Sequence, residues 1–425
     1  MQAKRASAIF DPLYGDITLP REILDLSTRP IVQRLRQVRL SNIDSLNMPG
    51  IANLSRFEHS LGVAFLCSRV GLARGLDRNM SLALQAAGLL HDSAITPLGH
   101  LAEEALAYIG SRFDHEGKWE RLFAGNEQEE IGGFDFQLFL GRQSGLRPWA
   151  EKTFGSLSLD VLKTILLAIR GRGPLGGIVA GDIDLDNIDN VSRVAYHMGL
   201  PCNRALPLEL AEAMSDARDG RVVFADTAHD LILSWLDLRR QLYSRLMQAR
   251  ADFAGKTMLL FSMVTAFERA VLQPSDWNLV DSDLFSRLSS SSDDEIAEPV
   301  RRWLLGDLWS VSQLMWLRGE APSYEEMRRF SEDLSQRIKR KCFAYRISDK
   351  RTRHLSVLFR SGKQINLGET SGLWLLGVCS PLHRVFGSSE HRDLLQLATS
   401  RFGSTLVHES TIDGATDATP TLFAT

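Results

Sequence analysis

The sequence predicts a mainly α-helical protein with a small mixed α/β region toward its C-terminal end. Three observations carry this reading. Leucines and isoleucines recur at helical spacing among arginines from Arg21 through Val38, Ser81 to Leu90 is a small, apolar run of good helix formers, and Ala225 to Leu272 holds long amphipathic patterns. By contrast, Gln364 to Gly387 mixes short apolar runs with glycines and suggests strands. With 425 residues, 44% of them apolar and 24% charged, the chain can bury a sizeable core and exceeds the usual size of one compact domain. We expect a large helical domain over 1–345, an appended mixed α/β region over 346–403, and a loose Thr-, Ala- and Asp-rich tail over 404–425.

The elements follow in order. Ile9 to Pro20, with Asp-Pro and Tyr-Gly turns and a short alternation, reads as a turn and strand pair. One helix is expected over Arg21 to Val38, ending in the polar stretch Ser41 to Asn47 and a Pro49-Gly50 turn. Further helices are expected over Arg56–Leu72, Ser81–His91 and Leu98–Tyr108. Phe123 to Gly145 has no persistent period and reads as an irregular insertion. Helix resumes over Leu157–Ile169, breaks at the glycines after Arg170, and returns over Asp184–Met198 with Gly199 as its stop. The glycine run is no phosphate-binding loop, since the Lys-Ser/Thr ending and the preceding buried strand are missing. Ser289 to Glu295 is a polar turn, and no internal repeat occurs.

A net charge of −3 supplies no global positive field for nucleic acid or anionic membrane, so any phosphate affinity must be local. Four scattered cysteines, Cys67, Cys202, Cys342 and Cys379, form no C-x-x-C pair and fit reduced thiols. The start, MQAKRASAIF, lacks a long apolar h-region, and no apolar run reaches eighteen residues. The expectation is a cytoplasmic protein that crosses no membrane. From Arg337 to Arg360 nine Lys or Arg face one acid, Asp349, which leaves a nucleic-acid partner open beside the commoner reading of a solvated face.

The chemistry centres on Gly88-Leu-Leu-His91-Asp92, where an apolar helix delivers an adjacent imidazole and carboxylate at its C-terminal end. A buried ionised carboxylate costs several kcal/mol unless paired or metal-bound, so the pair suggests a metal site; on its own it more often marks a surface helix end. Distant segments add to it. Arg56-Phe-Glu-His59 stands upstream, and Gly181-Asp-Ile-Asp-Leu-Asp186-Asn-Ile-Asp189 supplies a cluster of carboxylates downstream. His100 and Glu103 lie three apart on one helical face.

The order H…HD…D, with the blocks RFEHSLGVAFL, LLHD followed by TPLGHLAEEAL, FDHEGKW and IDLDNIDNVSR, resembles the HD superfamily of metal-dependent phosphohydrolases. Within it, the chain is similar to the deoxynucleotide triphosphohydrolases, both bacterial dGTPases and SAM-and-HD-domain dNTPases, over roughly Ile9 to Arg346. The resemblance implies an HD-domain helical fold and one divalent metal ion held by His59, His91, Asp92 and Asp186. Imidazole with carboxylate selects no single metal, so Mn, Fe, Mg, Zn and Ni all remain open. It further implies that His100 and Glu103 handle the proton beside the metal, that His115 contacts phosphate, and that Arg56 lies against the phosphate chain, a task suited to guanidinium. Relatives of this type assemble as tetramers or hexamers, which implies a homo-oligomer.

Four departures stand out. Ile95 occupies the place of the second histidine of HD-x-x-H. Leu40 falls where the family carries a sugar-reading glutamine, and Asn190, a candidate substrate contact, stands where a tyrosine packs on deoxyribose. The acid expected soon after is Val194. Metal and proton-handling groups survive while sugar-reading groups do not, which implies a changed substrate. The expected function is metal-dependent hydrolysis of a phosphoester or phosphoanhydride of a nucleotide. The alternatives are a modified or signalling nucleotide, a nucleic-acid end, or a metal-binding nucleotide sensor or scaffold.

Overall fold

The computed structural model describes residues 8–41, 48–111, 113, 115, 146–218, 221–368, 372–381, 386–402 and 405–407. Residues 42–47, the insertion expected over 123–145 and nearly all of the expected tail lie outside the described residues. The chain forms two compact units, Met1–Leu308 with Arg351–Glu369, and Trp309–Lys350 with Thr370–Thr425. The mainly α prediction holds, and the functional candidates all lie in the first unit.

That unit opens with a hairpin, β1 (Ala8–Asp11) and β2 (Gly15–Thr18), paired antiparallel from Ala8↔Thr18 to Asp11↔Gly15. The single helix expected over Arg21–Val38 is instead three pieces: α1 (Arg21–Ser27), α2 (Pro30–Arg34) and a 3-10 turn at Leu35–Gln37. Pro30 is the cause. Its ring excludes helical backbone at the preceding residue, and Arg29 is extended, with φ −67° and ψ 144°. A short α3 (Pro49–Ala52) leads into α4 (Arg56–Ala73), whose N-cap Ser55 accepts the Glu58 N–H. Asp77 caps α5 (Arg78–Leu90) in the same way through Met80 N–H, and α6 (His100–Tyr108) follows. The sequence pattern places the start of α6 at Leu98. Leu98 and Gly99 both have positive φ, 56° and 57°, so the helix begins two residues later, at His100.

α4 and α5 form the centre of the core. Val63, Ala64, Leu66 and Val70 of α4 and Leu84, Ala87, Leu89 and Leu90 of α5 are all fully buried. Each buried leucine contributes roughly 2 kcal/mol of transfer free energy, which holds the two helix ends bearing His59 and His91 in fixed register. A further helix, Leu185–His197, lies against α4, capped by Asp184 through Asn187 N–H. The contact needs Gly62: a Cβ there would sit 2.2 Å from Arg193 Nη2 and 2.3 Å from Asp189 Oδ2.

The pattern over Ala225–Leu272 resolves into two helices, His229–Gln248 and Arg250–Glu268, parted at Ala249. The second is buried on most of its faces against α6 and the Asp294–Leu304 helix. Its apolar surface is thus taken up inside the unit. The first unit also carries a small sheet of β3 (Met214–Arg218), β4 (Arg221–Phe224), β7 (Leu355–Phe359) and β8 (Gln364–Leu367), in that order, with only β4 and β7 parallel. In the second unit β5 (Ser310–Arg318), β6 (Phe343–Ser348), β9 (Leu373–Ser380) and β10 (Thr405–Val407) form an antiparallel sheet in the order β10-β5-β9-β6. Helices Tyr324–Ile338 and Ser388–Phe402 accompany it. The basic stretch 337–360 is divided between the units, and several of its members are engaged locally: Arg340 pairs with Glu390, Arg346 lies over the Tyr324 ring, and Arg353 donates to the Gly181 carbonyl.

The packing at Gly62 yields a stability prediction. Gly62→Val forces a branched side chain into the space of the Asp189–Arg193 pair, and overpacking of this kind costs roughly 1–3 kcal/mol. Urea denaturation should show at least this loss; unchanged stability would mean that the helices do not approach as described.

Candidate metal centre

Three distant stretches of the first unit bring the candidates together. The first turn of α4 carries Arg56 and His59, His91 is the C-cap of α5 with Asp92 next to it, and the first turn of the Leu185–His197 helix carries Asp186. The loop from Ser93 to Gly99 joins Asp92 to His100 and is pinned from outside. Arg34, wholly buried, donates from Nη1 to the Leu279 carbonyl at 2.7 Å and from Nη2 to the Ile95 carbonyl. Asp281 accepts the Leu98 N–H at 2.8 Å and the Arg39 N–H at 3.0 Å. Gly99 completes the turn because a Cβ there would lie 2.5 Å from Arg56 Nη2.

His91 Nδ1 lies 2.8 Å from the Gly88 carbonyl, which can only accept, so this nitrogen carries the proton. His59 Nδ1 lies 2.7 Å from Asp189 Oδ1 and is assigned likewise. Both Nε2 lone pairs therefore point inward, 3.2 Å apart. Asp186 Oδ1 stands 3.0 Å from His59 Nε2 and 3.5 Å from His91 Nε2. Asp92 Oδ2 stands 3.5 Å from His91 Nε2 and 3.9 Å from His59 Nε2, at the edge of the cluster, and the same oxygen accepts from Arg56 Nη1. His59, His91 and Asp186 alone already meet the spacing of a shared ion.

The electrostatics call for positive charge there. Burial pushes both imidazoles down, yet the carboxylates prevail: Asp186 and Asp189 raise His59, and Asp92 with Asp186 raises His91 to about 9. Burial opposes ionisation of Asp92 and Asp186 as well; the Arg56 and His91 charges hold Asp92 well below the ordinary carboxylate range, and hydrogen bonds to His59 and His91 hold Asp186 there. Asp184, one turn away, is raised to about 6 by burial and by the charge of Asp186. Convergent imidazole lone pairs and carboxylates of this kind are the donor set of a divalent metal, and the residues fit one. Asp186 is the open side, with its side chain 38% exposed.

Beside this cluster a second group gathers around Glu103. Its two oxygens meet Nδ1 of His100 at 2.9 Å and Nδ1 of His115 at 2.8 Å. Burial raises Glu103, but the hydrogen bonds to His100 and His115 bring it down to about 2. His100 is the exposed member of the three, so its imidazole is presented to solvent while the carboxylate fixes its orientation. Arg56, expected against a phosphate chain, is buried and directs Nη1 to Asp92.

The substituted positions are equally informative. Ile95 is fully buried and packs with Leu35, Val38 and Phe57, so the place of the family histidine is an apolar plug. Leu40 is 7% exposed and its side chain joins the main core. Asn190 is half-buried on the Leu185–His197 helix, and Gln37 is exposed.

Two further residues lie outside the sequence reading. Arg193 pairs with Asp189 through both Nε and Nη2, at 2.8 and 2.9 Å, and thereby holds the carboxylate that orients His59. Their i,i+4 spacing was the available signal. Arg239 is buried over the Tyr243 ring at 4.6 Å, near the charge of Asp184, with Nε and Nη1 unpartnered among the described residues. It sits mid-helix in an amphipathic pattern, and nothing local distinguishes it from the solvated Arg240 beside it.

Comparison with known proteins follows the same lines. No family model matches the chain. It is 26% identical over 310 residues to the uncharacterized protein MJ1154 of Methanocaldococcus jannaschii, covering 72% of this chain and 60% of that one. It is 34% identical over 221 residues to human deoxynucleoside triphosphate triphosphohydrolase SAMHD1, covering 46% of this chain and 34% of the relative. The zebrafish (Danio rerio) protein of that name is 28% identical over 216 residues, with 45% and 34% covered. The chain thus spans about a third to three-fifths of the length of these relatives. The crystal structure of the phosphohydrolase BT4208 from Bacteroides thetaiotaomicron superposes with a TM-score of 0.62 at 17% identity, covering 89% of this chain and all of that one, which shows a shared fold.

Two predictions follow from the geometry. His91→Ala removes one donor and leaves the carboxylates facing each other, so bound metal and melting temperature should fall together; full metal content by elemental analysis would refute the assignment. Glu103 ionises near 4.5 in the unfolded chain and near 2 in the native one, so its contribution is present above about pH 4.5 and fades as pH falls toward 2. Glu103→Gln should therefore cost on the order of 2 kcal/mol at pH 6, with the gap from the parent protein shrinking between pH 4.5 and 3 in urea titrations.

Proposed function

We propose that the chain is an HD-type metal-dependent phosphohydrolase that cleaves a phosphoester or phosphoanhydride bond of a nucleotide. The observation that carries this is the cluster of His59, His91 and Asp186 with Asp92 beside it, and an oriented His100 at the start of α6. The triphosphohydrolase names of the SAMHD1 relatives support the nucleotide class.

A divalent cation held by the four donors supplies Lewis-acid stabilisation of charge on a phosphoryl oxygen. The remaining work falls to the chain. Glu103 accepts from Nδ1–H of His100 and so leaves Nε2 free to take a proton from the attacking water or to give one to the leaving oxygen. His115, tied to the same carboxylate, donates from its other nitrogen to phosphate. Arg239 offers two unpartnered N–H groups from a buried position near Asp184, and an anionic phosphate would satisfy them. Arg56 keeps Asp92 ionised.

The substrate reading is nucleotide with a relaxed sugar filter. A tyrosine stacked on deoxyribose excludes a 2′-hydroxyl by filling its volume; Asn190 is smaller and can hydrogen-bond that hydroxyl. Leu40 turns its side chain into the core and offers the sugar no amide.

The test is a screen of nucleoside mono-, di- and triphosphates and short oligonucleotides with Mn, Mg, Fe, Ni or Zn, products resolved by mass. Metal-dependent phosphate release is expected, and His100→Gln should lower kcat by about 10²–10⁴. No turnover with any substrate and metal would reject the enzyme reading. In competition between dGTP and GTP we expect a deoxy preference below about 10³; a larger one, equivalent to roughly 4 kcal/mol, would mean that the sugar filter survives.

A further inference from the structure

The N-terminal hairpin reaches the metal centre from behind. Asp189 accepts four hydrogen bonds: His59 Nδ1–H and Arg193 Nε–H on Oδ1, and Arg193 Nη2–H with the Tyr14 hydroxyl on Oδ2, the last at 2.7 Å. Tyr14 lies 175 residues away in sequence, in the turn between β1 and β2. Asp11 links the same turn to the same network. One of its oxygens accepts the backbone N–H groups of Leu13 and Tyr14, each at 2.9 Å, and the other accepts Arg193 Nη1–H at 2.9 Å.

Asp189, Arg193 and Asp11 are all buried, so water does not replace a donor that is lost. A carboxylate held by four donors cannot rotate, and neither can the imidazole that donates to it. If the Tyr14 donor is removed, Oδ2 keeps only Arg193; the carboxylate can then turn toward the guanidinium and draw Oδ1 away from His59. The direction of the His59 Nε2 lone pair shifts with the ring.

We propose that the β1–β2 hairpin is a positioning element of the metal centre: Tyr14 and Asp11 lock the Asp189–Arg193 pair, which fixes the His59 ring and thereby sets affinity for a divalent cation. The inference rests on the reading of His59, His91, Asp92 and Asp186 as a metal site. Outer-shell partners of ligating histidines are worth 10–100-fold in metal affinity, and one of four donors belongs at the low end of that range.

Tyr14→Phe is a clean probe, because the ring itself packs on Phe65 at 5.5 Å and under Arg193 at 5.4 Å, contacts that phenylalanine retains. The full chain is stripped with chelator and titrated with Mn(II) by calorimetry, and the stripped proteins are melted in parallel. Tyr14→Phe should weaken Mn(II) about tenfold at unchanged stoichiometry, and Asp11→Asn should weaken it in the same direction. Equal dissociation constants would overturn the inference, as would a lower melting temperature of stripped Tyr14→Phe with Mn(II) affinity intact, which marks a purely structural contact. His91→Ala serves as the control: if it binds Mn(II) as the parent does, the cluster is not the metal site, and that reading falls independently of the hairpin.

Discussion

Acceptors crowded together repel one another, and the first unit holds His59, His91 and Asp186 in one cluster, with Asp92 beside them, against that repulsion. Two imidazole nitrogens at 3.2 Å and a carboxylate oxygen 3.0 Å from one of them form no stable arrangement without a cation or protons between them. Flexible side chains would swing apart. Here each is fixed by a second contact, His91 by the Gly88 carbonyl, His59 by Asp189, and Asp92 by Arg56, while the apolar interface of α4 and α5 fixes the backbones. Burial then amplifies the electrostatics: the imidazoles are held toward their protonated forms although desolvation alone would do the reverse.

This arrangement shows why so much of the site could be read from sequence and why the rest could not. The candidate ligands sit at helix ends, where an apolar run, a cap and an adjacent His-Asp leave a local signature, and His59, His91 and Asp186 come together in the fold with Asp92 beside them. The Pro30 break escaped the helical periodicity because the leucine and isoleucine spacing continues across it; the residue before proline decides the backbone, and that is a steric rule rather than a hydrophobic one. The strands β5 and β6 were missed for a related reason. Phe343–Ser348 lies within a basic run whose charge dominates its reading, yet it pairs along its whole length with β9. Arg193 carries only its i,i+4 spacing to Asp189 as a local mark, and Arg239 carries none. Their burial is set by helices far away in sequence, and a single chain gives no view of it.

The two substituted flanks of the site differ in kind. Leu40 and Ile95 are apolar and each is absorbed by packing, Leu40 in the main core and Ile95 against Leu35, Val38 and Phe57. Asn190 is different, because it remains polar and half-buried on the helix that supplies Asp186 and Asp189. A site that loses apolar bulk and keeps a hydrogen-bonding group admits hydroxyls more readily than one that loses both.

Ile95 also bears on how the proton chemistry is divided. A histidine at that position would stand beside Asp92 and share in proton transfer or phosphate contact, and an isoleucine can do neither. The oriented imidazoles that remain near the metal cluster among the described residues are then His100 and His115, both fastened to the one Glu103 carboxylate. The Glu103 carboxylate thus fixes two imidazoles, one exposed at His100 and one more enclosed at His115. With that division, the exposed ring is suited to exchange protons with water, and the enclosed one to hold an anion in place.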